Sequence, residues 1–172
     1  MTHPTTTAAL ALGLAACAGI PPAGLPAALA PDADEALLAS VTARGVQIYE
    51  CRAAQADGRG EWTFVAPQAE LFDAAGHPVG HHGAGPFWQA PDGSRVIGIV
   101  KRRVDAPAAG SIPWLLLATR DGGPPGRFSR VTSIQRVNTA GGAAPASGCG
   151  PHSRGATARV PYTADYHLYA KR

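Results

Sequence analysis

The sequence predicts an all-β domain: a single-domain sandwich or small barrel of about eight to ten short strands, with one short N-terminal helix. Two observations lead to this prediction. From Gly45 onward the apolar residues follow a period of two, and 21 glycines and 16 prolines are spread along the whole chain. Hydrophobic residues make up 45% of the chain, which is enough for a core. Helices and strands do not alternate as a doubly wound α/β fold would require.

A short apolar run near the N-terminus is typical of a targeting segment. The run from Ala8 to Ala16 is too short to span a bilayer. It ends in Leu14-Ala15-Ala16-Cys17, which resembles the lipobox of bacterial lipoproteins. This resemblance implies a signal segment over residues 1–17 and a lipid on Cys17, in an outer-membrane lipoprotein facing the periplasm or a periplasmic or secreted protein. Because no Lys or Arg precedes the run, the alternative is an Ala-rich N-terminus without a signal.

The next stretch, residues 18–31, contains four prolines. Proline restricts the backbone to extended conformations, so a chain of this composition forms a locally stiff spacer. We therefore predict a tether over residues 18–31 and assign the β domain to residues 32–172.

Asp32 and Glu35 carry the signal of a helix start. Asp32 can cap the first turn, and Glu35 follows at the spacing of a capping box. Leu37, Leu38 and Val41 form an apolar stripe at helical spacing, and Gly45 is a suitable stop. Together they predict a helix over residues 33–43.

Residues with alternating polarity, separated by turn signals, predict the strands that follow. Pro67 divides two of them, and the run 95–104 is the longest. The run Trp114–Ala118 is apolar on both faces, which indicates a strand that is covered on both sides. The last long connection, rich in Gly, Ala and Pro, covers residues 138–151. The predicted segments are 46–52, 61–65, 69–72, 77–82, 87–90, 95–104, 114–118, 128–137 and 162–169.

Three cysteines bear on the covalent structure of the chain. If Cys17 carries a lipid, Cys51 and Cys149 remain, and two cysteines in an exported chain predict one disulfide. Such a bond would close almost the whole domain, and restricting so long a loop in the unfolded chain stabilises the fold by about 4–5 kcal/mol. The alternative is a pair of unpaired buried thiols.

The charge pattern and the known catalytic motifs narrow the class of function. The net charge is +3, and Lys101-Arg102-Arg103 is the one tight basic cluster, typical of a solvated strand end. A nucleic-acid binder would show a basic stripe with stacking aromatics, so we expect no nucleic-acid partner. The chain contains no Gly-x-Ser-x-Gly, P-loop or dinucleotide fingerprint, so an enzymatic role is not favoured.

A histidine cluster makes a metal site one hypothesis. His77, His81 and His82 could bind zinc or copper if they converge in a loop. On a regular strand His77 and His81 would point to one side and His82 to the other, but Pro78 and the glycines interrupt the alternation. The alternative is turn histidines, one of them bonded to a backbone carbonyl. A further ligand could come from His152, Asp73 or Asp92.

Aromatic side chains make a binding pocket the other hypothesis. Amphipathic rings line ligand pockets in the mouths of β-barrels and sandwiches, although in a β core they are also ordinary packing residues. The rings considered are Trp62, Trp88, Trp114, Tyr49, Tyr162, Tyr166 and Tyr169.

A series of short motifs follows one order along the chain: Gly45–Cys51, Trp62–Ala69, Val79-Gly80, Ala84–Trp88, Asp92–Ser94, Ile112–Leu117, Val131–Arg136, Thr139–Gly142 and Val160–Tyr166. In this order they resemble a secreted bacterial and fungal family known as domain of unknown function three-four-five-five. The resemblance covers about residues 31–170 and implies an exported single domain, but no activity. His82, not His81, matches the family histidine. Position 83 is usually aromatic in the family and position 87 a small hydroxyl residue, whereas this chain has Gly83 and Phe87.

These observations favour a non-enzymatic module that binds a small molecule or associates with the cell envelope. The alternative is a metal-binding protein or metal-dependent enzyme that uses His77, His81 and His82. We expect a monomer whose partner is a small molecule or an envelope component, with membrane contact only through a lipid on Cys17. No cofactor is expected apart from zinc or copper in the metal alternative. The predicted ligand-binding residues are His82, Trp88, Trp114, Arg136 and Tyr162.

Overall fold

The computed structural model describes residues 24–54 and 58–172, which form a closed antiparallel barrel of eight strands. Each strand pairs with the next along the chain, and the last pairs with the first. The all-β prediction is confirmed in its barrel form. Eight strands enclose an interior just wide enough to be filled by side chains or to hold one small ligand. The strands are β1 Glu35–Ala53, β2 Gly60–Phe72, β3 Pro78–Gly83, β4 Phe87–Gln89, β5 Arg95–Val104, β6 Trp114–Asp121, β7 Ser133–Gly141 and β8 Thr157–Lys171.

β1 occupies the stretch for which the sequence predicted a helix. Glu35 does reach back as in a capping box, since its Oε2 accepts a hydrogen bond from the N–H of Asp32 at 3.0 Å. The chain that follows is extended, because β8 pairs with it along almost its whole length. A short isolated helix is only marginally stable, so pairing with a neighbouring strand outweighs it. The predicted helix over residues 33–43 is wrong.

Helical structure in the described residues is limited to single 3-10 turns at Ala27–Leu29 and Pro151–Ser153. No helix in these ranges is long and apolar enough to cross a membrane.

Several strand boundaries also differ from the prediction. β2 runs through Pro67 without a break, and its pairing with β1 shifts register at a bulge opposite Ile48 and Tyr49. The longest strand is β1, with 19 residues, and not the run 95–104. β7 begins at Ser133 and extends into the stretch predicted to be a loop. Pairing with the neighbouring strands, which local polarity does not report, sets these limits.

Residues 24–31, which fall within the predicted tether, pack against the outside of the barrel. Leu29 is fully buried and forms an apolar cluster with Leu116 of β6 and Val137 of β7. The carbonyl of Leu29 accepts a hydrogen bond from Gln135 Nε2 at 2.6 Å. β6 is therefore covered on both faces, as the sequence predicted. Residues 1–17 with Cys17, and residues 18–23 of the tether, lie outside the described residues.

The interior of the barrel is packed with apolar side chains over much of its length. Side chains from all the strands meet there, and two residues of the 128–131 segment join them. The largest contributors include Leu71, Val79, Trp88, Val96, Leu117, Phe128, Val131, Ile134, Tyr166 and Leu168.

A disulfide joins Cys51 of β1 to Cys149 in the connection between β7 and β8, which confirms the predicted pairing. The two residues are 98 positions apart. The bond holds the loop after β7 against the end of β1, where Ser147 O also accepts a hydrogen bond from Trp62 Nε1 at 2.8 Å. A disulfide is consistent with an oxidising compartment.

Candidate functional site

The hairpin of β3 and β4 is shorter than the strands beside it. β3 pairs with β2 only as far as Ala69, and β4 pairs with β5 only as far as Ile97. Beyond the turn at residues 84–86, β2 and β5 each have a strand partner on one side alone. The barrel wall therefore has a side opening between residues 60–68 and 99–104.

Apolar side chains flank this side opening. Phe64 on β2 and Val100 on β5 are 50% and 54% exposed. Exposed apolar side chains that gather at one place on a surface are typical of an interaction or binding site.

A cavity of about 370 Å³ lies inside the barrel behind the opening. Phe64, Pro67, Pro86 and Val100 line it at the opening. Ligand pockets usually occupy about 300–1,000 Å³ and have mostly apolar walls with a few polar groups. Among the described residues that line it are aromatic and aliphatic side chains and two arginines, but no Asp or Glu. The cavity therefore has the size and the wall of a site for one small molecule.

Three rings in mutual contact form the deep wall of the cavity. His82 on β3 lies directly across from Trp88 on β4, and their rings stack with centroids 4.0 Å apart and planes 19° apart. Tyr166 on β8 meets both rings edge-on, at 5.4 and 5.3 Å. The indole has room because residue 98 is glycine: a Cβ there would lie 2.7 Å from the Trp88 ring.

His82 is a neutral hydrogen-bonding group in this wall. The pKa of His82 is lowered to about 3, mainly by burial and to a smaller extent by the nearby positive charge of Arg136. A hydrogen bond to the Phe87 carbonyl favours the charged form but does not outweigh burial. Nδ1 lies 2.7 Å from that carbonyl and therefore carries the proton that it donates. The other ring nitrogen, Nε2, is an acceptor at neutral pH.

Arg136 of β7 brings a positive charge to the cavity wall. Its Nε and Nη2 both donate to Pro113 O, at 3.0 and 2.8 Å. Among the described residues, no carboxylate lies within ion-pair distance of this guanidinium. Burial raises the pKa values of Tyr49 and Tyr166, and the positive charge of Arg136 offsets part of this increase. The cavity therefore has a positive potential that the described side chains do not neutralise.

Four buried polar atoms around the cavity have no hydrogen-bond partner in the described structure: Gln47 Nε2, Trp88 Nε1, Tyr162 Oη and Tyr166 Oη. Gln47, Tyr162 and Tyr166 interact electrostatically, but outside hydrogen-bond geometry. An unpaired buried polar group costs about 1–3 kcal/mol, so such groups are rare in stable cores. Four of the six such atoms among the described residues thus lie around this cavity.

The structure brings three of the five predicted ligand-binding residues into the cavity wall: His82, Trp88 and Arg136. Tyr162 is buried close by, next to Gln47, but is not part of the wall. Trp114 lies on the outer face of the barrel, against the apolar cluster of Leu29 and Leu116. Trp114 is therefore a packing residue under the N-terminal segment.

The three histidines of the metal hypothesis do not converge. His77 is exposed and bonds Asp73, with Nδ1 3.3 Å from Oδ2. His81 is exposed on the outer face of β3 beside the Phe87 ring, whereas His82 is buried inside. Within the described ranges no group of three His, Cys, Asp or Glu side chains is placed to hold a metal ion. The structure therefore does not bring His77, His81 and His82 together as the zinc or copper hypothesis requires, because strand alternation separates His81 from His82.

The two positions at which the chain departs from the family pattern face each other. Gly83 pairs with Phe87 across the hairpin, and a Cβ at position 83 would lie 2.6 Å from the Phe87 ring. The ring of Phe87 on β4 thus packs against a residue without a side chain on β3. The His82–Trp88 pair lies beside it in regular register.

The predicted ligand-binding residues omit several residues of the cavity wall, although Tyr49 and Tyr166 were among the rings considered for a pocket. Gln47 and Tyr49 share the face of β1 that carries Cys51. Because side chains alternate along a strand, counting back from Cys51 in steps of two would have indicated both. Tyr166 lies four positions from Tyr162, on the same face of β8. No local signal marks the remaining wall residues, because the pairing of strands distant in sequence brings them together. They include Phe64, Pro67, Val100, Arg103, Ile112 and Pro113.

Comparison with known proteins places the chain by sequence. A family described as "Protein of unknown function (DUF3455)" matches residues 31–170. No curated protein and no solved structure shows a significant match.

Proposed function

The chain belongs to the DUF3455 family, whose description names no activity, and we propose that it is a binding protein whose barrel holds one small, largely apolar molecule. One observation carries the proposal: the 370 Å³ cavity behind the side opening between β2 and β5. A ligand there would be buried by side chains on rigid strands, and such preorganisation lowers the entropic cost of binding.

The rim and the deep wall of the cavity support this proposal in different ways. Phe64 and Val100 offer an apolar surface at the entrance that a ligand would cover. Trp88 and Tyr166 offer ring faces and edges for stacking. His82 Nε2 offers one neutral hydrogen-bond acceptor. A small molecule with an aromatic or aliphatic body and a polar group fits this combination.

Blocking the opening tests the proposal. Isothermal titration calorimetry with naphthaleneacetamide, a neutral probe, should show saturable binding of one molecule per chain. Val100→Trp adds bulk at the entrance without touching the packed core, since Val100 is 54% exposed. We expect this variant to weaken binding roughly tenfold or more, about 1.4 kcal/mol.

Ile99→Trp is the matched control. Ile99 is the preceding residue on β5, is equally exposed at 54%, and is not part of the cavity wall. This variant should bind as the wild type does. Equal affinities of the wild type and Val100→Trp for the probe would overturn the proposed function, as would failure of the wild type to bind either naphthaleneacetamide or the corresponding acid.

A further inference from the structure

We infer that the ligand of this cavity is a carboxylate, with an apolar body against the rings and its carboxylate on Arg136. The inference rests on the proposed binding function and adds the chemical class of the ligand. Three observations lead to it: the charge of Arg136 is not neutralised, the end edge of its guanidinium is free of hydrogen bonds to described residues, and its neighbours His82 and Tyr166 are neutral.

A charge next to an apolar cavity costs free energy unless an opposite charge accompanies it. Arg136 lines the cavity beside Leu115 and Ile112, and the described lining residues include no acid. Among the described residues, Pro113 O is the one acceptor in hydrogen-bond geometry with Arg136, and the Tyr166 hydroxyl interacts with the guanidinium outside that geometry. Neutral dipoles of this kind compensate a full charge only in part. An anion from outside would complete the compensation.

The two bonds to Pro113 also determine which donors of Arg136 stay free. Nε and Nη2 share one oxygen, so they use the side edge of the planar guanidinium. The end edge, formed by Nη1 and the second hydrogen of Nη2, presents two parallel N–H donors. This fork matches the two oxygens of a carboxylate, which accepts both hydrogen bonds at once.

The neighbours of Arg136 are neutral and do not compete for its charge. Burial keeps His82 uncharged at neutral pH, with its pKa at about 3. Burial also raises the pKa of Tyr166, so its hydroxyl keeps its proton. Arg103 at the outer edge of the cavity is paired with the exposed Asp105, with Nη2 3.7 Å from Oδ1, so Arg136 is the lining cation without a carboxylate partner among the described residues. The wall at Arg136 therefore attracts an anion.

Naphthaleneacetate and naphthaleneacetamide test the inference, since they share one body and differ only in the charged group. By calorimetry near neutral pH we expect the acid to bind the wild type at least about tenfold more tightly than the amide. Arg136→Gln should bring the ratio of the two affinities close to one while the amide still binds. Arg136→Lys, which keeps the charge but not the fork, should keep part of the preference.

Arg102→Gln is the control, because it removes one charge from β5, next to Arg103, at a residue that is not part of the cavity wall. It should leave the ratio unchanged. If the wild type binds the two probes equally, the inference is wrong and the binding function stands. A preference for the acid that survives Arg136→Gln would likewise overturn it. Failure of both probes to bind would instead contradict the proposed function.

Discussion

At the scale of single residues, His82 shows how one side chain links the cavity to stability. Its ring stacks on Trp88, donates to the Phe87 carbonyl and is almost fully buried. The folded protein therefore holds this imidazole neutral, whereas the unfolded chain protonates it at an ordinary pKa near 6.5. The difference makes the free energy of unfolding depend on pH.

The sign of the dependence follows from proton binding. Below about pH 6.5 the unfolded chain takes up a proton at His82, and the folded protein does not until about pH 3. The stability that His82 contributes is therefore complete above pH 6.5 and falls by about 1.4 kcal/mol per pH unit on acidification. Urea unfolding of His82→Gln between about pH 7 and pH 4.5 should show a shallower loss than the wild type.

His81→Gln serves as the control for this measurement, because His81 is the neighbouring residue and is exposed. Its pH dependence should match that of the wild type. His167 contributes a slope of its own in all three proteins, since burial lowers its pKa as well. Equal slopes for His82→Gln and the wild type would show that His82 is not held neutral in the folded state.

At the scale of elements, β1 is the strand that closes the barrel. It pairs with β2 over its second half and with β8 over most of its length. The sequence placed a helix stop at Gly45, but Gly45 lies within the strand, where β1 comes closest to β2. A Cβ at this position would lie 2.1 Å from Gln68 O and 2.6 Å from Ala69 Cβ.

Gly45→Ala should therefore destabilise the fold by about 2 kcal/mol or more, because backbone atoms must move to admit the methyl group. The measurement is the free energy of unfolding in urea. Gly150→Ala is the matched control, since no atom lies within 4 Å of the Cβ that it adds and its φ of −129° suits any residue. We expect a change within about 0.5 kcal/mol for the control. A similarly small change for Gly45→Ala would contradict the close approach of β1 and β2.

At the scale of the whole molecule, the barrel is closed twice, once by hydrogen bonds between β1 and β8 and once by the Cys51–Cys149 disulfide. The disulfide restrains the loop that follows β7. The same loop contributes Gly142, whose carbonyl accepts a hydrogen bond from Tyr49 Oη at 2.6 Å. The covalent closure therefore also supports one side of the cavity.

Reduction of the disulfide should lower the stability of the protein by about 4–5 kcal/mol, because the loop that it closes in the unfolded chain is long. For a domain of this size the loss corresponds to roughly 10–20 °C in Tm. Differential scanning calorimetry with and without reductant measures it. The double variant Cys51→Ser with Cys149→Ser should melt at the lower temperature and show no further change on reduction. An unchanged Tm on complete reduction would disprove the stabilising role.

The sequence by itself determined the strand class, most turns and the disulfide. Alternation of polarity is a property of neighbouring residues along one strand, and Asp92-Gly93-Ser94 needs only its own backbone to turn. If Cys17 is set aside as the predicted lipidation site, Cys51 and Cys149 are the two cysteines that remain, and they can form one disulfide. His82, Trp88 and Arg136 were predictable as residues of a site because each stands at a position that the family resemblance singles out.

The tertiary structure alone decided the rest. The Asp32–Glu35 contact forms as the sequence predicts, yet β8, more than a hundred residues later, determines that a strand follows it. The opening between β2 and β5 exists because the β3–β4 hairpin is shorter than its neighbours in space. Arg136 meets His82 and Tyr166 only once the barrel closes. Local sequence encodes which face a side chain takes, but a cavity requires the registers of strands that are distant in the chain.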